Sequence, residues 1–240
     1  MSSKEIHVLQ LYPKDMNIYG DTGNVLAVTR RIEWYGYTPI LHSYNPGDAF
    51  PEEIDIVLGG GGQDSGQDKI QEDLRRIAPR LRDLTESDTP MLMICGLYQL
   101  FGHFFETKDG TRIDGIGILD VETFGREERL IGNIITHSEE FGDIVGYENH
   151  SGQTYLGPKA TPLAQVQLGA GNNSEDSYEG ARHRNVIGSY LHGALLPKNP
   201  LITDFLIRNA AINRYGELAA MPIDDRLAER ARAQAMKRPR

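Results

Sequence analysis

The chain has 240 residues, and 34 acidic against 25 basic side chains leave a formal charge of −9, which argues against a protein that coats nucleic acid. Apolar residues at 39%, together with 26 glycines, match an ordinary soluble domain and exclude disorder along the whole length. The single cysteine, Cys95, excludes an internal disulfide and a multi-thiolate metal site and fits a reducing cytoplasm. Lys4, Glu5 and His7 interrupt the apolar stretch that a signal peptide needs, and no later run approaches a membrane span, so a soluble protein without membrane insertion is expected.

In chain order, Ile6 to Leu11 reads as a first strand, and Asp21 or Thr22 can cap a helix through Val25, Leu26, Val28 and Ile32 to Tyr35, stopped by Gly36. Thr38 to Tyr44 is a second strand, and Ile54 to Leu58 a third that runs into Gly59 to Gly62. Ile70, Leu74, Ile77, Leu81 and Leu84 step by three or four, which predicts a helix over roughly Gln67 to Thr85 laid on a sheet. Pro90 introduces the apolar strand Met91 to Ile94, which points at Cys95, and Gly96 to Phe105 reads as the helix after it. Shorter β-like pieces follow at Ile116 to Thr123, Leu130 to His137, Asp143 to Tyr147 and Leu163 to Leu168, then a strand at Asn185 to Leu191 and a helix at Leu201 to Tyr215. Alternating strands and helices imply an α/β fold in three layers, with a mostly parallel central sheet flanked by helices. A single domain is expected, with a core over residues 5–215 and a basic helical tail over 216–240. From Asp224 the last 17 residues carry six basic and three acidic groups, leaving −12 on the other 223. A solvated helix is the plain reading of that tail, and a partner's acidic face the alternative.

In an open parallel sheet, ligands bind beyond the carboxyl ends of the strands. Cys95 stands there, on a sharp strand-to-helix turn that exposes a side chain near the positive end of a helix and favours a thiolate nucleophile, although a cysteine can equally be buried and inert. Gly59 to Gly62 follow strand three. As a phosphate loop they fail, because Gln67 and Asp68 stand where lysine and a hydroxyl residue are needed. An oxyanion hole built from Gly60, Gly61 and Gly62 with the amide of Gly96 suits the residues better, with a merely tight turn as the other possibility. Of seven histidines, His192 closes the run Val186 to Leu191 and so shares the strand-end placement of Cys95. His150 is the next candidate, in a polar, glycine-bearing setting that reads as a loop.

Met91-Leu92-Met93-Ile94-Cys95-Gly96-Leu97-Tyr98-Gln99-Leu100 and Ser189-Tyr190-Leu191-His192-Gly193 resemble the class I, triad-type glutamine amidotransferases, closest to their cobyric-acid-synthase-like branch. Leu11-Tyr12-Pro13, Met16 to Asn24 and Gly146-Tyr147-Glu148-Asn149-His150 are similar to the glutaminase subunits of bacterial lipid II isoglutaminyl synthases within it. The resemblance runs from about residue 5 to about 215. It implies a flavodoxin-like core, Cys95 as nucleophile, His192 as the base that later protonates departing ammonia, and Arg129 as the group that grips the α-carboxylate of L-glutamine, with Arg126 as a rival. It further implies a cytoplasmic heterodimer with a MurT-like synthetase subunit of the Mur ligase family. That partner would carry ATP and magnesium and amidate D-glutamate in lipid II for peptidoglycan synthesis, while this chain would need no cofactor or metal of its own.

Two departures stand out. Met93 and Leu97 replace glycines that many relatives have around the nucleophile, and Ala194 stands where the usual triad has a glutamate two residues past the histidine. An imidazolium with no orienting anion loses stabilisation and tautomer control, so the expectation is that the synthetase subunit supplies an aspartate or glutamate across the interface. The alternatives are a glutaminase for another acceptor, such as a corrin precursor of the cobyrinic acid type, and a non-catalytic binding subunit on the same fold.

Overall fold

The computed structural model describes residues 4–62, 64–218 and 221–239. The helices are α1 (Thr22–Trp34), α2 (Asp64–Glu86), α3 (Gly96–Phe101), α4 (Pro200–Tyr215) and α5 (Arg226–Ala235). The strands are β1 (Glu5–Leu11), β2 (Thr38–Tyr44), β3 (Ile56–Gly59), β4 (Met91–Ile94), β5 (Phe104–Glu106), β6 (Arg112–Asp114), β7 (Val121–Ser138), β8 (Gly142–Leu156), β9 (Ala164–Leu168), β10 (Tyr178–Glu179), β11 (Ala181–His183) and β12 (Val186–Ser189).

A six-stranded sheet in the order β11-β12-β4-β3-β1-β2 forms the centre. All its pairings are parallel except β11 with β12. Every residue of β3, β4 and β12 is buried, as expected of strands covered on both faces, which is why they read as unbroken apolar runs. Helices flank the sheet, α1 packing with α4 and α2 with α3. Ile70, Leu74, Ile77, Leu81 and Leu84 are all buried, so the helical spacing seen in the sequence is the packed face of α2. Gly216 ends α4 in the left-handed region, its amide bonded to the Ile212 carbonyl at 2.8 Å.

Close packing around β12 gives one stability expectation. A Cβ on Gly188 would overlap the ring of Tyr98 and come within 2.8 Å of Leu119 Cδ1, and Tyr98 is fully buried. Gly188→Ala should therefore destabilise the protein by about 2–3 kcal/mol, read as a lowered midpoint of urea unfolding with an unchanged slope.

The central sheet follows the expected boundaries to within a few residues. The second half differs more. A second sheet in the order β10-β9-β7-β5-β6, with β8 also on β7, replaces the separate short pieces. β7 and β8 are one long antiparallel hairpin of 18 and 15 residues, with a register shift between Gly125 and Leu130. The polar segment Arg126 to Arg129 at that irregularity breaks the alternation by which a continuous strand is recognised. α3 is also shorter than Gly96 to Phe105: Gly102 is extended, and β5 begins at Phe104. Ile116 to Leu119 form no strand. Their amides bond instead to the carbonyls of Leu100, Phe101 and Gly102 and satisfy the end of α3.

The basic tail forms α5. It is joined to the body through Asp225, which pairs with Arg31 at 2.6 Å, while Arg31 also holds Asp204. Burial opposes the Arg31 charge, but its bonds to Asp225 and Asp204 hold the guanidinium firmly protonated.

Candidate active site

Four neighbouring parallel strands deliver the candidate residues to one edge. β4 lies between β3 and β12, with Met93 beside Gly59 and Ile94 beside Ser189, and β1 is on the other side of β3, with Leu11 beside Gly59. Cys95 follows β4, the glycine loop follows β3, His192 follows β12, and the segment after β1 leads to Asp21. The site thus falls at the carboxyl ends of the strands, where the order of an open sheet leaves a crevice.

Cys95 has φ 50° and ψ −105°, a strained geometry for a non-glycine residue, held by its amide bonding the Ser189 carbonyl at 2.8 Å and its carbonyl accepting from Gln99 N at 3.0 Å. Its side chain is thereby turned out of the sheet. Cys95 is 6% exposed, at the edge of the hydrophobic core and beside Gly61. His192 is fully buried, and its backbone makes a bridge in both directions with Tyr147 of β8, so the second sheet fixes the base. Burial works against a charge on His192, yet the negative charge and hydrogen bond of Cys95 and the hydrogen bond to Asp21 raise its pKa to about 10. Nucleophile and base meet at the glycine loop, the position of a Cβ on Gly61 lying 2.9 Å from His192 Cε1 and 3.2 Å from Cys95 Cβ, as their matching strand ends imply.

A carboxylate of this chain stands beside His192, where the sequence leads one to expect an acid from the partner. Asp21 Oδ1 lies 3.3 Å from His192 Nδ1, both groups being buried. Its other oxygen, Oδ2, accepts from the Gly61 amide at 2.7 Å. Asp21 stands at the N-cap of α1, but its side chain makes no capping bond and is free for this, while the Thr22 amide donates to Asn17 Oδ1 at 2.8 Å. Ala194, at the departure from the usual triad, has φ 45° and packs against α1, its Cβ lying 2.6 Å from the position of a Cβ on Gly23. The carboxylate beside His192 comes from the leading edge of α1 instead.

The glycine loop is pressed against both catalytic candidates. A Cβ on Gly61 would lie 2.9 Å from His192 Cε1 and 3.2 Å from Cys95 Cβ, so only glycine fits there. Gly62 N lies 3.0 Å from where a Cβ on Gly96 would stand, bringing the Gly62 amide up to the start of α3. Gly61 N is engaged by Asp21, and Gly60 contributes its carbonyl to Leu97 N at 3.4 Å. Behind the elbow, buried Gln67 donates to Gln99 Oε1 at 2.6 Å and to the Gly96 carbonyl at 3.1 Å.

Arg129 is exposed on β7 at the register shift and donates from Nε to Asn149 Oδ1 at 2.6 Å. Its rival Arg126 sits over the Phe124 ring at 5.7 Å. His150 is in strand β8 and not in a loop, buried and stacked at 3.6 Å on Tyr190. Burial lowers its pKa to about 3, and the charges of His192 and Arg129 push in the same direction, so both lie within electrostatic reach of it. A histidine that stays neutral and packs on a tyrosine is a wall of the site. Two buried acids, Glu148 in a motif already noted and Glu179 outside any, are given no role by the sequence. Glu148 accepts from the amides of Ala170 and Gly171, and Glu179 accepts from Ser189 Oγ at 2.7 Å and Tyr190 N at 2.9 Å, bracing the chain just before His192. Burial raises the Glu179 pKa to about 7. Among the described residues, no helix is long and apolar enough to cross a membrane.

The fold is that of the glutamine amidotransferases. A glutamine amidotransferase of Thermotoga maritima superposes with a TM-score of 0.55 at 16% identity, covering 96% of this chain and 93% of its own. The glutaminase domain of Trypanosoma brucei CTPS does so with a TM-score of 0.54 at 10% identity, covering 86% and 94%. The chain belongs to the CobB/CobQ-like glutamine amidotransferase domain family, whose model matches residues 7–200. Among curated relatives, the lipid II isoglutaminyl synthase (glutamine-hydrolyzing) subunit GatD of Staphylococcus aureus (strain N315) is 39% identical over 207 residues, 86% of this chain and 84% of that protein. The subunit of the same name from Streptococcus pneumoniae (strain ATCC BAA-255 / R6) is 36% identical, covering 91% and 85%. A probable cobyric acid synthase of Methanothermobacter thermautotrophicus is 32% identical over 59% of this chain and 31% of its own length.

Proposed function

We propose that this chain is the glutamine-hydrolysing subunit of a cytoplasmic lipid II isoglutaminyl synthase. The observation that carries the reading is the approach of Cys95 and His192 to one point beside Gly61, with His192 held charged and bonded to Asp21, in a chain 39% identical to a GatD subunit.

The cycle starts with the proton on His192 and the Cys95 sulfur as the nucleophile. The sulfur attacks the side-chain carboxamide carbon of glutamine, whose α-carboxylate is gripped by Arg129. Negative charge moves to the oxygen, where the Gly62 and Gly96 amides receive it, each donor lowering the barrier by roughly 3 kcal/mol. Gly60 and Gly61 shape the loop that aims them. Once the sulfur is covalently bound its charge is gone, so the main attraction raising the His192 pKa disappears as the leaving nitrogen needs a proton. His192 gives up that proton, the C–N bond breaks, and ammonia departs from a γ-glutamyl thioester. Neutral His192 then takes a proton from water, whose oxygen attacks the thioester carbon; the C–S bond breaks, glutamate leaves and the thiolate–imidazolium pair is restored.

Ammonia is passed to a MurT-like, Mur ligase family subunit, which uses ATP and magnesium to activate the α-carboxylate of D-glutamate in lipid II. Contact with the membrane comes through that lipid-linked acceptor. The test is reconstitution of the two subunits with lipid II, ATP, magnesium and glutamine labelled with nitrogen-15 in the side-chain amide. Labelled isoglutamine in lipid II is the expected product. Label released as ammonia but absent from lipid II would favour a different acceptor, and no release at all would leave only a binding subunit.

A further inference from the structure

Glu179 is fully buried, a costly place for an acid, and its Oε2 has no partner among the described residues. Its Oε1 is used twice. It accepts from Ser189 Oγ at 2.7 Å and from the Tyr190 amide at 2.9 Å, on the stretch that leads from β12 to His192. Glu179 arrives there from the other sheet. It ends β10, and Gly180 alone separates it from β11 of the central sheet. Gly180 has φ 65°, and a Cβ there would come within 2.5 Å of the Gly188 carbonyl oxygen, so the crossing between sheets is tight. The path of the chain therefore pins the carboxyl group against the end of β12.

From that oxygen a closed circuit of hydrogen bonds runs around the nucleophile. The Ser189 carbonyl accepts from Cys95 N at 2.8 Å, and the Ser189 hydroxyl oxygen accepts from Leu191 N at 3.0 Å. On the other side the Tyr190 hydroxyl accepts from Gln99 Nε2 at 3.1 Å, and Gln99 N donates to the Cys95 carbonyl at 3.0 Å. Ser189, Tyr190 and Gln99 are all buried, which shields these bonds from bulk water. Both backbone bonds that hold the strained Cys95 are thus links of the circuit, and the residue after Leu191 is His192. A shift of the end of β12 would move nucleophile and base alike, and a misplacement of about 1 Å can cost on the order of 10² in rate. Resting on the reading of this chain as a glutaminase, we infer that Glu179 is a positioning residue for glutamine hydrolysis. Its one bonded oxygen sets the end of β12, and with it the approach of Cys95 to His192, although it bonds to neither.

Glu179→Gln keeps an acceptor oxygen at this place, and Glu179→Met keeps the approximate length without one. Counting active sites by the Cys95 adduct of a glutamine-analogue chloroketone removes unfolded protein from the comparison. On that scale Glu179→Met should lose about 10- to 100-fold in kcat with KM for glutamine within about twofold, because Arg129 lies outside the circuit. Glu179→Gln should stay within about threefold of wild type in kcat. Ser189→Ala keeps the carbonyl bonded to Cys95 and removes the hydroxyl bonded to Glu179, so it should lose about three- to tenfold in kcat. It carries the test should Glu179→Met fail to fold. An acid with a merely structural role would lower the midpoint of urea unfolding and leave kcat per adduct unchanged. Wild-type kcat in Glu179→Met, or in Ser189→Ala where that variant stands in, would overturn the assignment while leaving the glutaminase reading intact. Glu179→Gln as slow as Glu179→Met, or a loss confined to KM, would also overturn it. Wild-type protein that neither takes the adduct nor releases ammonia, alone and with the synthetase, is the distinct failure of the functional reading, and the role of Glu179 falls with it.

Discussion

Cys95→Ala is expected to reduce glutamine-dependent glutamate release to background, a loss on the order of 10⁴ to 10⁶ in kcat, while the complex still amidates lipid II with added ammonium salt. The two outcomes separate because the sulfur takes part only in liberating ammonia. Cys95 lies on a turn whose strain is held by bonds to Ser189 and Gln99 backbones, and alanine keeps the Cβ and therefore the elbow. The variant should fold and bind the synthetase. Glutamate release at the wild-type rate would remove Cys95 from the mechanism.

Asp21→Asn is the second large effect, expected to lower kcat about 10³- to 10⁴-fold in the isolated chain and in the complex alike. An amide at this position keeps the approximate shape but loses the anion that orients His192, and it can present its NH₂ to the Gly61 amide that now donates at 2.7 Å. The pH profile distinguishes this from simple loss of structure. In the wild type the His192 pKa is raised to about 10 by Cys95 and Asp21 against the effect of burial, so the imidazolium persists through neutral pH. Removing the Asp21 charge lowers that pKa, and the alkaline limb of the rate profile should move to lower pH. Stability follows the same sign. A histidine whose folded pKa exceeds its unfolded value of about 6.5 contributes stability fully below that pH, and the contribution is lost as pH rises through about 10. The wild type should thus exceed Asp21→Asn in stability at pH 7, with the gap closing toward pH 10. If only the complex lost activity, or if the profile did not move, the acid would have to come from elsewhere.

Cys95 and His192 are legible in the sequence because each closes an apolar run, and neighbouring parallel strands place such ends side by side: Ser189 is in register with Ile94. Asp21 is not legible in the same way. From the sequence it reads as a helix cap, whereas in the fold Asn17 takes the capping bond and the carboxylate meets a histidine 171 positions away. The one available clue is placement, an acid just beyond β1 on the same sheet edge as the nucleophile. Ala194 carries the complementary clue, a small residue where bulk is usual, whose meaning depends on its contact with Gly23. The parallel sheet is readable because burial on both faces makes β3, β4 and β12 uniformly apolar. β7 and β8 are half exposed and interrupted by the charged residues near Arg129, so their length depends on cross-strand pairing that no local pattern encodes. Glu179 is invisible for a related reason. Its burial and its bonds to Ser189 and Tyr190 are tertiary facts.

The central claim is a reactive Cys95 sulfur, served by His192, that attacks glutamine. Incubating the protein with a glutamine-analogue chloroketone and locating the adduct by peptide mass spectrometry tests it most directly. The account predicts one adduct, on the Cys95 peptide, formed more slowly when glutamine is present. A protein left unmodified, or modified on another residue at a rate that glutamine does not change, would contradict it.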